Sequence, residues 1–81
     1  MPATQLNLVY EKGDMSVSYN PIERTVRASG PLTAGPSAGG FFYSTMREDI
    51  IYPDLIEKLH AEGLTEQVAV ELFRISEGRA V

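Results

Sequence analysis

His60 is the one side chain of this sequence that titrates near neutrality without help from its surroundings, and it is the only histidine. Glu57 stands three positions before it, a spacing that brings the two side chains together on one face of a helix. Such a pair has the form of an acid–base couple and equally of an ordinary surface ion pair, and no third residue completes it. There is no cysteine to serve as nucleophile or thiolate ligand, and no serine stands in a strand-to-helix elbow sequence. One histidine without cysteine excludes the usual zinc sets, and the acids do not fall into a calcium-loop pattern. Gly35-Pro36-Ser37-Ala38-Gly39-Gly40 is rich enough in glycine to cradle a phosphate. Phe41 follows, however, where a phosphate loop needs Lys and then Ser or Thr. The sequence therefore predicts no enzyme, with no catalytic, cofactor-binding or metal-ligating residue.

The elements that would position these residues are readable from hydrophobic periodicity. Leu6, Leu8 and Tyr10 alternate with Asn7 and Val9, and after Glu11-Lys12-Gly13-Asp14 the pattern resumes at Met15, Val17 and Tyr19. This predicts a hairpin closed by a type I turn with a bulge at Gly13. Asn20-Pro21-Ile22-Glu23 is a second turn, and Val26 and Ala28 continue the alternation until Gly30-Pro31. The expected strands lie near 5–10, 15–20 and 24–29. The run GPLTAGPSAGG over 30–40 reads as a flexible loop, and Phe41-Phe42-Tyr43 as a fourth strand near 41–44.

Thr45 and Glu48 have the spacing of a capping box, which predicts a helix over 46–62 that Pro53 kinks, or else a short turn with Pro53 opening the helix. Ile51, Leu55, Ile56 and Leu59 form its apolar stripe and Gly63 its stop. Thr65 caps a last helix over 66–77, with Val68, Ala69, Leu72, Phe73 and Ile75 on one face, although Val68, Val70 and Leu72 also alternate as in a strand. Strands first and helices last predict an α+β fold: a small antiparallel meander of three or four strands with two C-terminal helices on one face.

With 81 residues, the chain suffices for a single domain spanning 1–81. Hydrophobic residues make up 43% of it and charged residues 22%, a balance that drives collapse rather than disorder. The start of the sequence has neither a basic segment nor a long apolar run, so the expectation is a cytoplasmic protein that does not enter a membrane. A core of this size leaves a thin stability margin, which favours association with a partner or with a second copy as a homo-dimer.

The formal charge of −4 is distributed unevenly. Up to Tyr43, Glu11, Asp14 and Glu23 are balanced by Lys12, Arg24 and Arg27. From Ser44 onward Glu48, Asp49, Asp54, Glu57, Glu62, Glu66, Glu71 and Glu77 face only Arg47, Lys58, Arg74 and Arg79. An acidic helix pair of this kind disfavours direct nucleic-acid binding and suits a basic partner surface. The run Val68-Ala69, Leu72 and Ile75-Ser76 resembles the first helix and turn of helix-turn-helix DNA-binding domains. A recognition helix starting at Ser76 and ending at Val81 would be too short to cross a major groove.

The function expected from these residues is a small acidic, non-catalytic protein-binding module. One form of it is an inhibitor, of the kind that phages and mobile elements encode against host machinery such as CRISPR complexes, acting by steric occlusion in the host cytoplasm. Its partner would be another protein or a nucleoprotein complex. Phe41, Phe42, Tyr43 and Tyr52 are the expected aromatic anchors, and Glu48, Asp49, Asp54 and Glu57 the carboxylates that orient the approach. The alternative is a homo-oligomeric structural or regulatory domain.

Overall fold

The computed structural model describes residues 7–80. Four strands, β1 (Leu8–Lys12), β2 (Met15–Asn20), β3 (Thr25–Pro31) and β4 (Phe41–Arg47), pair in sequence order as an antiparallel meander. A single 3-10 turn over Glu48–Ile50 leads to α1 (Pro53–Glu62) and α2 (Glu66–Ala80). The architecture is the α+β arrangement that the order of periodic segments predicts. Leu6, expected on the inner face of the first strand, lies outside the described residues.

Alternation determines which face of the sheet is covered. Tyr10 pairs with Val17, Leu8 with Tyr19 and Tyr19 with Val26, so these side chains share one face with Ala28, Phe42 and Met46. The helices supply Leu55, Ile56 and Leu59 from α1 and Val68, Ala69, Leu72 and Phe73 from α2, and Ile51 fills the space before α1. The stripe of α2 is turned slightly from its expected position: Ser76 is fully buried while Ile75 is only partly so. The Ser76 hydroxyl has no hydrogen-bond partner among the described residues. An unpaired buried hydroxyl is a cost that the surrounding apolar contacts must offset.

Gly30 is where α2 meets the sheet. A Cβ placed there would lie 2.7 Å from Phe73 Cε2 and 2.9 Å from Cζ, so the ring occupies the space a side chain would take. Phe42 is the cross-strand partner of Gly30, and its ring meets Phe73 edge to face at 5.1 Å between centroids.

Two local expectations are corrected here. The first hairpin has only Gly13 and Asp14 between paired Lys12 and Met15, and Gly13 at φ +62° followed by an ordinary Asp14 fits a two-residue type II′ turn rather than a bulged type I. No helix starts at Met46: β4 runs on to Arg47 because Met46 pairs with buried Val26, and Thr45 and Glu48 form no capping box. Of the two readings of Pro53, the one with a short turn before a helix that Pro53 opens is the one formed, with Tyr52 held extended before it at φ −59° and ψ 132°. In α2, Thr65 caps as expected, its Oγ1 accepting from Val68 N–H at 3.3 Å, and the helix runs unbroken through Ser76 to Ala80. The turn that a helix-turn-helix resemblance implies at Ile75-Ser76 is not formed.

The segment 32–40 is a folded extension of the β3–β4 hairpin rather than a flexible link. Leu32 N–H donates to Gly40 O at 2.7 Å and Gly39 N–H to Leu32 O at 2.9 Å, while Gly35 and Gly39 adopt positive φ to make the tip. Thr33 ties this tip to α2. Its backbone N–H donates to Glu77 Oε2, and its hydroxyl lies 2.8 Å from the same oxygen. The Thr33 amide contributes most to holding the Glu77 carboxyl below the usual carboxylate range, with help from the Thr33 hydroxyl and Arg74 against the opposing effect of burial.

Two outcomes are expected. Gly30→Ala drives a methyl into the Phe73 ring and lowers stability by about 1–3 kcal/mol, read as a shift in the urea midpoint; an unchanged midpoint excludes the close contact. The Glu77 tie is complete above the unfolded carboxyl pKa of about 4.3 and is lost as pH falls through the lower folded value. Amide-exchange protection at Thr33 therefore drops on acidification across that window, and Glu77→Gln removes the dependence.

Candidate functional site

Four elements bring polar groups together at one end of the sheet. The β2–β3 turn is built on Asn20, whose Oδ1 accepts from Ile22 N–H at 2.9 Å and Glu23 N–H at 3.1 Å. Arg24 closes the turn at φ +59°, a left-handed conformation uncommon for a residue with a side chain. Its carbonyl accepts from Glu48 N–H at 2.7 Å, which fixes the start of the 3-10 turn beside Tyr19. Glu48 thereby points inward, with its side chain only 13% exposed.

Tyr19 Oη donates its single proton to Glu48 Oε2 at 2.6 Å. The 2.9 Å contact with His60 Nε2 must then be a bond in which His60 Nε2–H donates to Tyr19 Oη. His60 Nε2 also stands 3.5 Å from Glu48 Oε1, and Arg24 Nε 3.9 Å from Oε2. Burial, followed by the bond to Glu48, pushes the Tyr19 phenol well above its ordinary pKa. Tyr19 is thus a neutral, fully engaged hydroxyl, unsuited to act as a phenolate base. What this relay does is connect β2, the 3-10 turn and α1. Glu57, the expected partner of His60, stays exposed on α1 instead.

Beside the relay lies a cleft of about 410 Å³ with an apolar floor of Ile51, Pro53 and Ile56 and charges of both signs, Arg24 and Arg47 against Glu23, Glu48 and Asp49, around its mouth. Arg47 is tied to Asp49 at 2.5 Å.

The expected docking residues fall into four groups. Phe41 and Tyr43 are 67% and 70% exposed on the outer face of the sheet, where Tyr43 pairs with Ser29 and Phe41 with Pro31. Tyr52, Asp54 and Glu57 are exposed at the start of α1, on the helix side. Phe42 and Glu48 leave the docking set: Phe42 is 6% exposed against Phe73, and Glu48 is committed to Tyr19. Asp49 is exposed but occupied by Arg47.

The acidic face also narrows. Glu66 pairs with Lys12 at 2.7 Å and Glu77 bonds Thr33, leaving Asp54, Glu57 and Glu62 of α1 as the outward carboxylates, together with Glu71 of α2. They stand on the opposite side of the sheet from Phe41 and Tyr43, so the aromatic pair and the acids do not form a single surface. No protein-family model, curated protein or solved structure matches this chain.

Tyr19→Phe leaves the nearly buried Glu48 carboxylate without its donor and is expected to cost about 1–3 kcal/mol by urea denaturation. A loss of under about 0.5 kcal/mol, within the range of ordinary surface changes, would show that the relay is no clamp.

Proposed function

We propose that the protein is a small non-catalytic binding module that docks on another protein through the outer face of its sheet and acts by covering that partner's surface. The observation that carries this reading is the pair Phe41 and Tyr43, two large aromatic side chains more than two-thirds exposed, two residues apart on β4. Isolated exposed apolar residues are ordinary, but an adjacent aromatic pair on one face has the form of an interface anchor.

The surroundings suit docking. Ser16, Ser18 and Ser29 lie in the middle of the same face beside exposed Arg27, which pairs with Ser18 and Thr45, and Val9 is 60% exposed across it. A partner can receive the aromatic rings in pockets while resting on the serines and meeting Arg27 with a polar or acidic group. Among the described residues β4 pairs only with β3, which leaves its other edge for strand addition beside the same rings. The saturated Tyr19 hydroxyl fits a module that makes and breaks no bond. An occluding inhibitor of host machinery is the biological form consistent with a protein of this size and plan.

The double change Phe41→Ser and Tyr43→Ser tests it. Wild-type protein is expected to capture a stoichiometric protein partner from a lysate of its host, and the double variant to lose it while retaining the wild-type urea midpoint. Equal capture by both proteins, or no partner above background, would remove the outer face from the account.

A further inference from the structure

Gly78 lies within the last turn of α2, and glycine is a weaker helix former than alanine. It does not end the helix in a left-handed conformation, since its φ is not positive. A Cβ built on it meets no atom of the described residues within 4 Å, in contrast to Gly30, so no contact among them requires its absence. Gly78 instead lines a groove of about 290 Å³ between α2 and the segment before α1. Ile50 at 44% and Tyr52 at 68% exposure form one wall, and Arg74, Ile75 and Arg79 the other.

In a chain of net charge −4, both charged residues of this groove are arginines. Neither makes an ion pair among the described residues. Glu77, which feels Arg74, is bonded to Thr33 across the molecule. The negative end of the helix dipole accounts for a cation at Arg79 but not for glycine at the preceding position.

The geometry points to a second docking site here, for an acidic peptide segment of another protein that carries an aliphatic or aromatic side chain. The apolar side chain lies on Gly78 between Tyr52 and Ile75, as a close approach of backbone or side chain to glycine allows. Flanking Asp or Glu residues pair with Arg74 and Arg79, whose planar guanidinium groups suit carboxylates. Two arginines on an acidic protein are too few to hold a nucleic-acid backbone. The groove belongs to the helix layer, so it is independent of the outer sheet face.

A library of random dodecapeptides displayed on a carrier and panned on the full chain, with Gly78→Leu protein as counter-selection, tests the site. Peptides with Asp or Glu next to an aliphatic or aromatic residue are expected to be enriched on the wild type. A consensus peptide should shift amide resonances confined to 50–52 and 74–79. Gly78→Leu should weaken its binding about tenfold or more while raising the urea midpoint, and Arg79→Glu should weaken it similarly without altering the midpoint. The Phe41→Ser, Tyr43→Ser protein should bind it as the wild type does, which separates this site from the sheet face. No enrichment over the counter-selected protein, enrichment of basic peptides, resonance shifts on the sheet face, or equal binding by the Arg79→Glu protein would overturn the assignment.

Discussion

The contact on which the rest of the molecule depends is the seating of the Phe73 ring in the space left by Gly30. A helix packed on a sheet is ordinarily held off by side chains from both layers, but here one residue of β3 has none and the ring reaches the strand itself. Phe42 then packs against the side of that ring, so β3, β4 and α2 share one aromatic contact. This fixes the height of α2 above the sheet and with it the burial of Val68, Ala69 and Leu72, each at most 1% exposed. Because overpacking and underpacking both destabilise a core, the position admits little variation.

A polar contact performs the corresponding task for α1. That helix is short, it starts on Pro53, and its apolar side chains Leu55, Ile56 and Leu59 form a stripe that could slide along the sheet. Tyr19 prevents this by bonding at once to Glu48 before the helix and to His60 within it. Directional bonds of this kind add less net stability than apolar area, but they distinguish one register from its neighbours because each polar group is costly to leave unpaired. The left-handed turn at Arg24 serves the same end, since its carbonyl holds the Glu48 amide in place.

The contrast between apolar and polar contacts also explains what was legible in the sequence. Alternation in Met15, Val17, Tyr19, Val26 and Ala28 determines strand faces through a local rule, and the stripe Leu55, Ile56, Leu59 does so for α1, so the fold class and the buried set follow from spacing. The polar relay joins residues 29 and 41 positions apart, and no spacing rule links Tyr19 to Glu48 or His60. Glu48 misleads for a related reason: its position after Thr45 satisfies a local helix-start signal, but pairing of Met46 with Val26 keeps the chain extended and the carboxylate finds a distant hydroxyl. Phe41, Phe42 and Tyr43 look alike as a run of aromatics. Only the strand's two-residue period separates the middle ring, which enters the core, from the outer two.

That same period carries the functional argument. A fourth strand at the edge of the meander must bury every second side chain against α2, and Phe42 with Met46 fulfils this requirement. The intervening positions are free of any demand from the core, and polar residues there would cost nothing in folding; Thr45 and Arg47 show as much. Phe41 and Tyr43 are therefore not explained by the stability of this chain, just as glycine at position 78 is not. The fold accounts for Gly30 and Phe42 through one close contact, and the residues it leaves unaccounted for lie on two separate sides of the molecule. Phe41 and Tyr43 are apolar area that the core of this chain does not use, and that unused area is what the proposed docking face is built on.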